Sequence, residues 1–203
     1  MTRNVFERLG LKKKVLANDT GKYKPGEFGY WWTVIEGKKD IDGKLYDKNI
    51  DCSFQNLTSL RGAPKEVWYS NFNCSNNKLT SLDYCPEWVG DSFNCSNNQL
   101  TSLKGAPKKI ISYDFDCSNN QLTSLEGATE IVENCFNCSN NQLTSLKGAP
   151  HSVGGDFDCS NNQLTSLRGI PKYIGEVFNY SNNPNLRFSN ELDNLKYVYP
   201  DIK

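Results

Sequence analysis

The string Cys-Ser-Asn-Asn-Gln-Leu-Thr-Ser-Leu stands unchanged at four places, beginning at Cys95, Cys117, Cys138 and Cys159. A near copy begins at Cys74, with Lys78 in place of Gln, and a degenerate one at Cys52. A last copy begins at Tyr180 (Tyr-Ser-Asn-Asn-Pro-Asn-Leu-Arg-Phe). Successive starts are 22, 21, 22, 21, 21 and 21 residues apart. A fixed period of this length specifies a stack of like units, each touching only its neighbours, rather than a set of unrelated elements around one core.

Each unit has the same plan. A phenylalanine precedes the Cys position by two residues (Phe72, Phe93, Phe115, Phe136, Phe157 and Phe178). Residues two apart on a strand point to one side, so the Phe and Cys share a face. Asparagine follows at Cys+3 (Asn77, Asn98, Asn120, Asn141, Asn162 and Asn183), and leucines follow at +5 and +8, as in Leu100 and Leu103. A turn such as Gly105-Ala106-Pro107 ends most units, and a β-branched or aromatic residue at Cys−6 (Trp68, Val89, Ile111, Val132, Val153, Ile174) leads back to the next strand. One unit cannot bury its Phe, Cys and two Leu alone. Stacking turns each into a continuous row, and each such side chain contributes about 1.5–3 kcal/mol on burial. The Asn amide is suited to bond the backbone of its own loop and of the adjacent coil.

This pattern resembles the leucine-rich repeat, Leu-x-x-Leu-x-Leu-x-x-Asn-x-Leu, with Phe and Cys on two strand positions. The units look most like the short repeats of bacterial effectors and of proteins encoded by tailed phages. The resemblance implies a leucine-rich-repeat solenoid: a curved parallel β-sheet of about seven 21–22-residue coils over residues 50–188, binding partners on its concave face. Gln55 in place of the first ladder Asn and Tyr180 in place of the last Cys mark the ends of the array. Caps are expected there, because a stack exposes its core at both ends. Residues 1–49 supply the first, read as a short helix over 4–16 followed by a hairpin with Trp31–Ile35 as one strand and Asp42-Gly43 as its turn. The second is placed at 189–203, continuing apolar positions that begin at Leu186 and Phe188.

Composition narrows the function. Lys plus Arg and Asp plus Glu each number 23, so no global attraction draws the chain to nucleic acid or to an anionic membrane. The N-terminal stretch mixes charges through its apolar residues, and the expected location is cytoplasmic. Six of the eight cysteines lie at one repeat position, which reads as small buried residues in a reducing compartment rather than as a disulfide framework.

Strand residues pointing away from the core, at Cys−3, Cys−1 and Cys+1, should form the concave face. The +1 row is serine throughout, and the three rows carry no Lys or Arg, which argues against phosphate-backbone binding there. The distinctive part is acidic: Asp114, Asp116, Asp156 and Asp158, flanked by Asn94 and Asn137. A cap surface at Trp31 and Trp32 is the alternative docking site. Catalysis fits poorly. Asp116 and Asp158 should stand two coils apart, about 10 Å, a spacing that inverting glycosidases use, but no apolar pocket is apparent around either. The sequence offers no cofactor or metal site. Cys135-x-x-Cys138 lacks a second pair, His151 is the single histidine, and Asp40-x-Asp42-Gly43 lacks the later ligands of a calcium loop. Sequons such as Asn94-Cys95-Ser96 follow from the repeat consensus.

The expected function is non-enzymatic protein binding by a monomer or small oligomer. The resemblance to phage repeats points to a bacterial host protein as partner, engaged in the host cytoplasm and inhibited, as in countering a defence system. Self-association through the solenoid is the structural alternative, and a carboxylate-based hydrolase on the concave face is the enzymatic one.

Overall fold

A computed structural model describes residues 21–36, 42–110 and 113–187. They form a parallel β-solenoid of about six turns. Each turn contributes a two-residue strand to a seven-stranded sheet: β2 (Ile50–Asp51), β4 (Phe72–Asn73), β6 (Phe93–Asn94), β8 (Phe115–Asp116), β10 (Phe136–Asn137), β12 (Phe157–Asp158) and β14 (Phe178–Asn179). The strands pair parallel and in register, Phe on Phe along the stack from β4 to β14. Burial alternates as the period-2 pattern requires. Phe72, Phe93, Phe115, Phe136 and Phe157 are fully buried, while the Asn or Asp that follows each is half-buried. Ring centroids of neighbouring Phe lie 5.2–6.2 Å apart, so the row is one aromatic column.

The opposite wall is a second ladder, broken in two. β1 (Leu45–Tyr46), β3 (Glu66–Val67), β5 (Trp88–Val89) and β7 (Lys109–Ile110) form one part; β9 (Ile131–Val132), β11 (Ser152–Val153) and β13 (Tyr173–Ile174) form the other. This ladder corrects the row expected at Cys−6. Val67 and Ile110 stand in register with Val89, in place of Trp68 and Ile111. The two 22-residue units place their extra residue between this ladder and the Phe strand, so a count of six back from Cys falls one short. Counted forward from the preceding Leu60, Leu82, Leu103, Leu125, Leu146 or Leu167, the second residue of each ladder strand is always seven further on.

The first end is closed differently from the expected hairpin. Phe28–Tyr30 forms a single α-helical turn (α1), which continues as a π-helical turn over Trp31–Ile35. Phe28, Trp31 and Trp32 lie three and four residues apart, a helical spacing that brings them to one side. Phe28 stacks on Trp32 at 5.6 Å and reaches Phe72 at 6.2 Å, extending the aromatic column past the smaller Ile50. The segment before the helix lies along the first turn: the Phe28 N–H donates to the Ser59 carbonyl at 2.9 Å and the Gly29 N–H to the Arg61 carbonyl at 2.8 Å. Asp42-Gly43 is a turn, but it leads into β1, which pairs parallel with β3 and makes no hairpin. The expected helix over 4–16 and cap over 189–203 lie outside the described residues. Among those described, no helix is long and apolar enough to cross a membrane.

Cys52, Cys74, Cys95, Cys117, Cys138 and Cys159 are all free thiols with no exposed surface. Burial pushes each thiol upward, Cys74 to about 12, so the reactive thiolate is suppressed. Cys85 takes the Ala place of the turn and is buried too, while Cys135 is half-exposed at Cys−3. Labelling of the native protein with a thiol reagent is therefore expected to modify Cys135 first, at about one equivalent, with the other seven following only on unfolding. Rapid modification of the ladder thiols by mass spectrometry would contradict this register.

Candidate functional site

The face outside the seven-stranded sheet is built from three interlocked rows. At Cys−1, the side-chain oxygen of Asn or Asp turns back onto its own chain. Asn94 Oδ1 accepts from the Ser96 N–H (2.9 Å) and hydroxyl (2.7 Å), and Asn137 Oδ1 does the same from Ser139 at 3.0 and 2.8 Å. Asp116 Oδ1 accepts from the Ser118 N–H at 2.9 Å, and Asp158 Oδ1 from the Ser160 N–H at 2.8 Å. These Asx turns fold the +1 serines inward. Ser75, Ser96, Ser118, Ser139 and Ser160 are buried, which corrects the expectation of an open serine row.

At Cys−3 the side chains run between coils. Asn71 Oδ1 accepts from the Ser92 N–H (2.9 Å), Asp114 Oδ1 from the Cys135 N–H (3.0 Å) and Asp156 Oδ1 from the Val177 N–H (2.9 Å). Asp114 Oδ1 also accepts from Asn134 Nδ2 at 2.8 Å, and Asp158 Oδ2 from Asn179 Nδ2 at 3.1 Å. Each of the four aspartates thus has an oxygen fixed by a backbone N–H and is half-buried. Register places Asp116, Asn137 and Asp158 side by side on β8, β10 and β12. The sequence named these residues; it did not reveal that they are anchored. The signal was available, since Asn or Asp two residues before Ser is an Asx-turn pattern.

No basic residue occurs between Cys−5 and Cys+1 in the units from Cys74 onward, whereas Asp91, Asp114, Asp116, Glu133, Asp156, Asp158 and Glu176 do. Lys and Arg gather on the far turns instead, where Lys108 pairs with Glu87 (3.5 Å) and Lys147 with Glu126 (2.7 Å). The solenoid is therefore acidic along one side. Trp31 and Trp32, the alternative site, are buried in the cap core and offer no aromatic surface. Cys135 and Cys138 do not converge on a ligand: Cys138 faces the core, and among the described residues no group of three or more His, Cys, Asp or Glu could hold a metal. His151 is exposed on a shallow open groove of about 580 Å³ between turns, away from the strand face.

A further asparagine row escaped the sequence reading. At Cys+2, Asn76, Asn97, Asn119, Asn140, Asn161 and Asn182 have φ of 54–56°. Asparagine tolerates this left-handed conformation, and the Asn-Asn pair of each unit therefore divides two tasks: the first turns the chain and the second bonds it. No protein-family model matches the chain, and no curated protein or solved structure is significantly similar to it.

Proposed function

We propose that this chain is a non-enzymatic binding protein of leucine-rich-repeat type, whose acidic strand face docks a basic surface of a protein partner. The observation that carries this reading is the anchoring of Asp114, Asp116, Asp156 and Asp158. A carboxylate held by a backbone N–H loses little side-chain freedom when a partner's Lys or Arg pairs with it, which lowers the ordering cost of association. The likeness of the units to short bacterial and tailed-phage repeats makes a bacterial host factor, bound and inhibited in the host cytoplasm by a phage-encoded protein, the partner class to test first.

The repeats supply a clean variant. Asparagine performs the same anchoring at Cys−1 in Asn94 and Asn137 and at Cys−3 in Asn71, so replacing all four aspartates by Asn removes charge and keeps the backbone bonds, with loss only of the bond from Asn179 Nδ2 to Asp158 Oδ2. The quadruple variant should melt within a few degrees of the native protein. In affinity capture from bacterial lysate, a partner held by the native chain should be lost or weakened at least tenfold, with slower and less salt-sensitive association. Equal capture by both proteins would move the interface off this face.

A further inference from the structure

The units act as controls for one another: two positions break the rule of the repeat, and a third strained one lies in an inserted residue. At Cys+2, where six units place Asn, the first unit has Phe54 at φ 58°. At the turn Gly, where Gly62, Gly105, Gly127, Gly148 and Gly169 have φ of 86–99°, the second unit has Tyr84 at φ 67°. Tyr69, in the longer link of a 22-residue unit, has φ 51°. A left-handed backbone is unfavourable for a bulky side chain. These rings recover nothing by burial, being 71%, 63% and 82% exposed for Phe54, Tyr84 and Tyr69. Strain of this kind concentrates at ligand-binding positions.

Tyr69 adjoins a patch. Its ring lies 5.9 Å from Trp68, which stacks on Trp88 at 4.8 Å with 26° between the planes. On the outer row of the same ladder, Leu45 (62% exposed), Glu66 and Trp88 are neighbours in register. Glu66 therefore sits inside an aromatic and aliphatic surface, its Oε2 accepting from Trp68 Nε1 at 3.0 Å. Lys109 follows Trp88 in register, two strands from Glu66, and Lys108 is held by Glu87 at 3.5 Å.

We propose that Glu66, Trp68, Tyr69 and Trp88 form a docking surface, separate from the concave face, for a protein partner that presents an arginine side chain. A guanidinium satisfies both halves of the patch: its plane stacks on indole or phenol and its N–H groups pair with the carboxylate. An apolar or sugar ligand would dry the patch and leave Glu66 uncompensated, and a lysine ammonium, strongly hydrated, gains less from the rings.

The test is an NMR titration of the Trp68 and Trp88 indole N–H signals with tetra-arginine and tetra-lysine peptides. Saturable shifts are expected, with tetra-arginine binding about two- to fivefold more tightly, the factor expected of an exposed cation–π contact. E66Q and Y69N should each weaken it by a similar factor, and the quadruple Asp→Asn variant should not change it, which keeps this outcome distinct from that of the concave face. Y69N should also melt about 2–4 °C higher, since Asn accommodates the left-handed turn. F54N, the same exchange outside the patch, should raise the melting temperature and leave the titration unchanged. Absent shifts, equal response to tetra-lysine, or a Y69N protein that melts lower would each overturn the proposal.

Discussion

Replacing Asn120 by alanine should lower the unfolding free energy by about 1–3 kcal/mol in urea melts, while Asn119→Gly, one residue away, should change it by less than about 1 kcal/mol. Asn120 is buried, and its Nδ2 donates to the carbonyls of Cys95 (3.1 Å), Cys117 (3.1 Å) and Ser118 (3.2 Å). Its Oδ1 accepts from the Leu100 N–H at 3.0 Å. Truncation strands the Leu100 N–H, while the carbonyls of Cys95, Cys117 and Ser118 each keep a second donor in Asn98 Nδ2, Asn141 Nδ2 and the Asn97 N–H; an unpaired buried polar group costs about 1–3 kcal/mol. Asn119 is exposed and supplies a φ of 55°, which glycine also supplies. A neutral Asn120→Ala would show that the asparagine ladder does not hold adjacent coils together.

The thiol ladder should make the fold fail in alkali. An unfolded cysteine titrates near 9.0, whereas the buried ones titrate higher, Cys74 at about 12. The sign follows. Below pH 9 both states hold the proton and stability is intact. Above it the unfolded chain releases protons that the folded chain retains, and stability falls as pH rises toward 12. Each such thiol contributes a slope of about 1.4 kcal/mol per pH unit. Six together approach roughly 8 kcal/mol per unit once fully engaged, against a usual total of about 5–15 kcal/mol. Urea melts at intervals from pH 8 to 10.5 should show accelerating loss, and Cys117→Ala should reduce the slope by one thiol. A flat profile would contradict the burial of the row.

The architecture was legible because repetition multiplies a weak local signal. One Phe-x-Cys says little, but five of them at intervals of 21 or 22 residues specify a strand row. The burial of Phe93, Cys95 and Leu100 follows from that row directly. What resisted reading was whatever depends on local insertion or on hydrogen bonding. Val67 was displaced from the expected row by one extra residue, which only a count from the preceding leucine detects. Trp31 and Val34 suggested a strand by residue type, while the spacing of Phe28, Trp31 and Trp32 favoured the helical turn that forms. The serines of the +1 row look solvent-facing by alternation, yet the Asx turns carry Ser96 and Ser118 into the interior. The four aspartates could be placed on a face from sequence, but their anchoring joins residues 2 and 21 apart, and the longer of these links depends on the stack itself.

The asparagine bonds also give the array a direction. Asn98 donates back to the Cys74 carbonyl and accepts from the Leu79 N–H, and Asn120, Asn141, Asn162 and Asn183 repeat this toward the preceding coil. No coil in this series satisfies its own leucine amide; the one after it does. In a chain synthesised from its N-terminus, the finished structure must therefore trail the newest coil by one. The last described coil departs from this rule, because its Leu186 N–H donates to the Asn183 carbonyl of the same coil at 3.0 Å, so the direction of the array ends in a bond that calls for no successor.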